Sequence, residues 1–116
     1  MKRQIAEQSG RDGERRAAMW LRMKGWSILG QRIKTPLGEI DLIARRGGVV
    51  AFIEVKWRKK AVDLDHAIDE YRLRRVASAL EAVAHKYAAD GEDIRVDVIL
   101  LAPGAFPRHI VNAWQP

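Results

Sequence analysis

The chain has no cysteine, which excludes disulfides and thiolate metal sites and permits a reducing compartment. It also lacks an apolar run near its start. Met1-Lys2-Arg3-Gln4-Ile5-Ala6-Glu7 is polar, unlike a secretion signal. No stretch approaches the roughly 20 apolar residues of a membrane span, so the expected location is the cytoplasm, with no membrane partner. No repeat, low-complexity tract or linker divides the 116 residues, a length that suits one domain with a real core, frayed over residues 1–10. A phosphate-cradling glycine loop is missing too, because Gly47-Gly48 has no helix start behind it. His66, His85 and His109 lack metal-ligand spacing and read as surface or capping residues, and Ser9, Ser27 and Ser78 lack a nucleophile's context. What the chain does have is positive charge: 21 basic against 15 acidic residues, net +6. That balance favours a polyanionic partner such as nucleic acid.

The most informative stretch runs from Gly38-Glu39-Ile40-Asp41-Leu42-Ile43-Ala44 through Gly47-Gly48 to Val49-Val50-Ala51-Phe52-Ile53-Glu54-Val55-Lys56. Gly-Gly between two β-prone runs signals a tight hairpin, since both central residues can take positive φ. With a two-residue loop, Arg46 faces Val49, Ile43 faces Phe52, Asp41 faces Glu54 and Glu39 faces Lys56. Side chains alternate along a strand, so Glu39, Asp41, Glu54 and Lys56 share one face at the open end. Opposed Cβ atoms lie roughly 4.5–5.5 Å apart, and two carboxylates that close repel unless a cation lies between them. Nearer the turn the same face is apolar, at Ile43, Val50 and Phe52. The other face carries Ile40, Leu42, Ala44, Ala51, Ile53, Val55 and Trp57. With both faces covered, the hairpin belongs in a layered α/β domain.

The flanking segments supply the layers. Residues 14–24 have helical spacing, with Ala17, Ala18, Trp20 and Leu21 on one side, Asp12 near the cap and Gly25 as the stop. Glu14 then falls in the first turn, where the helix dipole favours an anion. Residues 26–34 read as a strand, irregular at Gly30. A long helix follows the hairpin, capped by Asp63 or Asp65 and ending near Ala89. Its apolar stripe is Leu64, Ile68, Tyr71, Val76, Leu80, Val83 and Tyr87, and its outer surface carries Arg72, Arg74 and Arg75. Residues 94–101 form a strand with Val96, Val98 and Leu100 on one face and Arg95, Asp97 and Ile99 on the other. Asp97 reads as structural, paired with Arg95 or a neighbouring strand. Residues 109–114 suggest an edge strand which, with Trp114, is a candidate homodimer contact. Trp57 reads as core, and the cations around it, Lys56, Arg58, Lys59 and Lys60, form either a solvated strand exit or a phosphate-contacting rim.

Asp41 and Glu54 are hard oxygen ligands suited to Mg²⁺ or Mn²⁺, and the Val55 carbonyl could add a third. Lys56 could orient or activate a water, with Glu39 as its partner. Acid-x-Lys alone is common by chance. Opposite an Asp across a Gly-Gly hairpin, after a helix bearing an early Glu, it resembles the PD-(D/E)XK nuclease superfamily, with Asp41, Glu54 and Lys56 on its motif and Ile40 in place of its proline. The closer resemblance is to the bacterial YraN-like family. It is carried by Gly10, Gly13, Glu14 and Ala17; by Gly38 to Ile43; by Phe52, Glu54, Val55, Lys56 and Arg58; and by Arg95, Asp97 and Val98. Arg32 stands where that family often carries Asn, and Arg72 matches its basic residue early in the second helix. The family is similar in turn to archaeal Holliday-junction resolvases, a likeness that implies a catalytic role for Glu14 beside Asp41, Glu54 and Lys56.

The resemblance implies a restriction-endonuclease-like fold, a three-layer α/β/α core with a mixed sheet in the order αβββαβ(β). It also implies metal-dependent hydrolysis of DNA, in preference to RNA, with branched or structured DNA as candidate substrates. The alternatives are a nucleic-acid-binding module that keeps the fold without catalysis, and an interaction domain whose acids merely pair with Lys56 and the arginines.

Overall fold

The computed structural model describes residues 2–60, 62 and 69–114, and side chains from residue 11 onward. The elements are α1 (Lys2–Met23), β1 (Ser27–Thr35), β2 (Gly38–Arg46), β3 (Val49–Trp57), α2 (Glu70–Tyr87), β4 (Asp93–Leu101) and β5 (Arg108–Ile110). The strands form one sheet in the order β1-β2-β3-β4-β5, antiparallel except for the parallel β3–β4 pair that α2 connects. The mixed sheet and αβββαββ order match the expectation. Among the described residues no helix is long and apolar enough to cross a membrane.

Strand alternation builds a core on each side of the sheet. Ile43, Val50, Phe52, Val96, Val98 and Leu100 pack against Leu73, Val76, Leu80 and Val83 of α2. Leu42, Ala44, Ala51, Ile53, Ile99 and Leu101 pack against Ala17, Ala18 and Leu21 of α1. Each fully buried Ile, Leu or Phe contributes about 1.5–3 kcal/mol, so both helices are held by sheet contacts rather than by propensity. The hairpin register near the turn is as expected, with Arg46 opposite Val49 and Ile43 opposite Phe52. Of the two turn glycines only Gly47 takes a positive φ, +59°, which is the pattern of a turn with its strained residue first.

The helices differ from expectation at their starts. α1 begins at Lys2 and runs through Gly10 and Gly13, so Asp12 is not its cap. Asp12 instead lies 3.9 Å from Arg15, one turn on. Once sheet contacts hold residues 17–21, extending a helix costs little per residue, and residues 2–8 are mostly good helix formers. Glu14 is therefore mid-helix, which removes the dipole account of it. The predicted stop does hold. Gly25 has φ +90°, Trp26 N–H donates to Leu21 O at 3.0 Å and Gly25 N–H to Arg22 O at 3.1 Å, the paired bonds of a glycine C-cap.

α2 is capped by Asp69, whose side chain accepts from Tyr71 N–H; the expected caps Asp63 and Asp65, with Leu64, His66 and Ile68, lie outside the described residues. The helix buries Leu73 in place of Tyr71, which is 64% exposed. Moving the start from Asp63 or Asp65 to Glu70 leaves Tyr71 at the first turn's open side.

β5 is only three residues long. After Ile110 the chain turns through Asn112, at φ +54°, and Trp114 packs on the α2 side of the core. The 109–114 edge therefore ends early, and its Trp points inward. His109 also differs from expectation. It is largely buried, 2.7 Å from Asp97 and edge-on to Trp20, because β5 lies across β4 beside that acid. His85 is exposed, as expected.

Candidate nuclease-like site

Beyond Leu42 and Ile53 the ladder between β2 and β3 ends. Asp41–Glu54 and Glu39–Lys56, expected as opposed pairs, are not paired. β2 stays with β1 instead, where Glu39 meets Lys34 and Ile40 meets Ile33. Ile40 joins the core on the α2 side, not the face of Leu42 and Ala44. The parting strands leave backbone groups of β3 without a ladder partner, and Asp41 supplies one: its Oδ2 accepts from Val55 N–H at 2.8 Å.

The gap is closed from one side by α2. A Cβ on Gly38 would lie 2.6 Å from the carbonyl oxygen of Arg75, so only glycine allows this approach. Between β2, β3 and α2 lies a cavity of about 420 Å³, lined by Glu39, Asp41, Glu54, Tyr71, Arg72, Arg75 and Val76. Of the expected site residues, Asp41, Glu54, Glu39, Arg72 and Arg75 thus meet in one cleft. Lys56 is behind it, buried, with Nζ 3.1 Å from Glu54 Oε1, and Arg72 lies 3.7 Å from the same oxygen. The partner of Lys56 is therefore Glu54 rather than Glu39. Glu14 reaches the region from α1, buried, and accepts from Arg32 Nε at 2.7 Å.

Four expected phosphate contacts lie elsewhere. Arg74 is over the Trp114 ring at 6.0 Å and does not line the cleft. Arg58 donates to Trp57 O, and Lys59 and Lys60 are exposed on the exit from β3. Trp57 packs with the α1-side core, in line with its expected role.

The electrostatics centre on Asp41. Burial pushes its carboxyl up, the Val55 amide opposes this, and Glu14, Glu54 and Glu39 push further, to about 7. Four acids thus gather where Lys56, Arg32 and Arg72 only partly offset them. Among the described residues no three acid or histidine side chains converge as a metal cage. Two carboxylates at an open cleft do fit Mg²⁺, which keeps most of its waters and takes one or two protein carboxylates with substrate phosphate. They do not fit an ion that demands a closed protein shell.

Two contributors were missed by sequence reasoning. Tyr71 was assigned to the core because its spacing fitted the stripe. Arg32 was noted only as a departure, yet its position was countable: Gln31 pairs with Leu42 and Ile33 with Ile40, which sets Arg32 opposite Asp41.

A mixed sheet with a helix on each face and an Asp, Glu and Lys beside a parted hairpin defines a protein of the restriction-endonuclease-like fold. Among solved structures it is similar to Hjc from Archaeoglobus fulgidus, a Holliday junction resolvase from an archaeal hyperthermophile, at TM-score 0.61 and 19% identity over 88% of this chain and 76% of that one. The chain itself belongs to the uncharacterised protein family UPF0102, whose model matches residues 13–101. UPF0102 proteins of Erythrobacter litoralis and Caulobacter vibrioides are 78% and 46% identical to it; the first match spans both chains fully, the second 94% of this chain and 88% of the relative. This is the YraN-like family to which the motifs pointed.

Proposed function

We propose that the protein is a metal-dependent nuclease that hydrolyses phosphodiester bonds in DNA, with branched or structured DNA as its substrate class. The observation that carries this reading is the half-buried Asp41 beside Glu54 and Lys56, in a cleft whose far wall is Arg72 and Arg75. Asp41 and Glu54 would hold Mg²⁺ or Mn²⁺. The Val55 carbonyl would assist, since it shares a strand edge with the amide that meets Asp41. When bound, the ion would supply Lewis-acid chemistry to the phosphate and lower the pKa of a water held there by these residues. Lys56, fixed against Glu54, orients that water and offsets the charge that develops on phosphate oxygen. Glu14 adds a further acid behind Asp41, and Glu39 sits at the mouth. Arg72 and Arg75 bind phosphates flanking the cleft, and Arg58, Lys59 and Lys60 extend the basic rim. DNA and branched structure are favoured by the likeness to a Holliday junction resolvase, and cutting both strands of a junction calls for two copies of the chain.

One observation favours a second reading, a binding module without catalysis: Glu14 and Glu54 are already paired with cations of the chain itself, Arg32 and Lys56. A cleavage screen separates the two. Duplex, single-stranded, flap and four-way-junction DNA, with structured RNA alongside, are incubated with Mg²⁺, Mn²⁺ or EDTA. The expected outcome is a metal-dependent product that disappears in Asp41→Ala. Salt-sensitive binding without product on every substrate would favour the binding module.

A further inference from the structure

The contact between Arg32 and Glu14 is unusual in three respects. Arg32 has φ +52° inside a β-strand, a conformation that side chains other than glycine rarely take and that costs roughly 1 kcal/mol or more. The strain brings the residue out of the ladder opposite Asp41 and onto α1. Second, the two partners are unequally covered: the Glu14 side chain is 11% exposed, while that of Arg32 is 39% exposed. The acid is fixed in the fold and the cation can leave. Third, only Nε of the guanidinium is engaged, and the described residues give the two terminal nitrogens no hydrogen bond. On a side chain that is 39% exposed, the part of the fork not engaged with Glu14 is chemically suited to phosphate.

We infer that Arg32 is a positioning residue that occupies Glu14 in the free protein and hands it over when a DNA phosphate draws the guanidinium away. The inference rests on the nuclease reading and adds an order of events to it. Glu39 and Asp41 lie within electrostatic reach of the same guanidinium. While Arg32 is clasped, it neutralises one acid and repels an incoming cation. When its free nitrogens take a phosphate oxygen, the acid cluster regains a full negative charge next to Asp41. Metal affinity thus rises with DNA occupancy, as linkage requires of two ligands that each loosen the same contact.

The test is calorimetric titration of Mn²⁺ into the full chain without DNA. Arg32→Gln is expected to tighten Mn²⁺ binding on the order of tenfold, since Glu14 is no longer clasped and its charge returns to the acid cluster beside Asp41. Arg32→Lys, which keeps the charge and loses the fork, is expected to stay within about threefold of wild type. In a Glu14→Gln background the gain from Arg32→Gln should vanish, which a general charge effect would not do. In EDTA, the salt dependence of junction binding should fall by about one phosphate contact in Arg32→Gln. Mn²⁺ binding that needs Asp41 but is indifferent to Arg32, or a gain that persists without Glu14, would overturn the inference and leave the nuclease reading standing. No Mn²⁺ binding in any variant would overturn both. Should Arg32→Gln not fold, equal Mn²⁺ affinity in wild type and Glu14→Gln counts against the clasp on its own.

Discussion

Two aspartates in this sheet are handled in opposite ways. Asp97, on β4, is fully buried. Burial pushes its carboxyl up, but His109, Arg95 and the Asn112 amide outweigh that and hold it below the usual range. Its oxygens accept from Arg95 Nε at 3.0 Å, lie 2.7 Å from His109 Nε2 and accept from Asn112 N–H at 2.9 Å. Asp41 has one backbone donor and three acid neighbours, and stands at about 7. The first is a staple that ties β5 and the chain after it to β4. The second carries negative charge that the fold only partly offsets, in an open cleft. Burial alone does not mark a functional acid; burial without enough partners does.

That contrast can be broken most sharply at Asp97. Asp97→Ala removes a fully buried carboxylate from a half-buried arginine, a histidine and an amide, and should cost about 3–5 kcal/mol, read as a lower urea midpoint. An unchanged midpoint would show that the staple does not hold the C-terminal segment. Next in size is Gly38→Ala, which sets a Cβ against the Arg75 carbonyl that walls the cleft. A loss of about 1–3 kcal/mol is expected, from overpacking against backbone. Full stability would mean that α2 can move off β2.

Asp41→Asn should go the other way. Its folded carboxyl titrates above the unfolded value, so the native state binds more protons and wild-type stability falls as pH rises from about 4 to about 7. Asparagine keeps an acceptor for Val55 and removes the charge. A gain on the order of 1–2 kcal/mol is expected at pH 8, absent at pH 4, while Mn²⁺-dependent cleavage is lost. The staple has the opposite sign: the stabilisation from Asp97 is present above the unfolded carboxylate range and lost as pH falls through its lowered value. Thermal melts of wild type, Asp41→Asn and Asp97→Asn between pH 3 and pH 8 would put the two curves side by side, and parallel curves would refute the distinction. The smallest effect belongs to Arg72→Ala. It is 61% exposed and 3.7 Å from Glu54, so stability should move by less than about 0.5 kcal/mol. Its signature is a salt slope for DNA binding lower by about one contact; an unchanged slope would remove Arg72 from the cleft's phosphate wall.

Much of the site was legible from local chemistry. Gly47-Gly48 and the alternation around it set the hairpin register, and Glu-x-Lys on one strand puts Glu54 and Lys56 on the same side, where they pair. The expected Asp41–Glu54 pair failed because a ladder drawn from its turn does not reveal where it stops. The far end of β2 stays in register with β1 on its other edge while it parts from β3, and the carboxylate of Asp41 takes the place of a backbone carbonyl. Tyr71 and the start of α2 were misread because apolar spacing alone cannot say which turn is the first one against the sheet.

By itself, then, the sequence determined the layered mixed sheet, the placing of Glu54 and Lys56 on one face, and the family, all of which depend on spacing within one or two neighbouring elements; that Lys56 pairs with Glu54 and not Glu39 came from the fold. Tertiary structure alone decided the rest. It brought Glu14 to Arg32 across 18 positions, Asp97 to His109 across 12, and Asp41 among acids from other elements. The reason is physical: a carboxylate's charge state depends on the donors and charges that distant segments bring to it, and no periodicity encodes those neighbours.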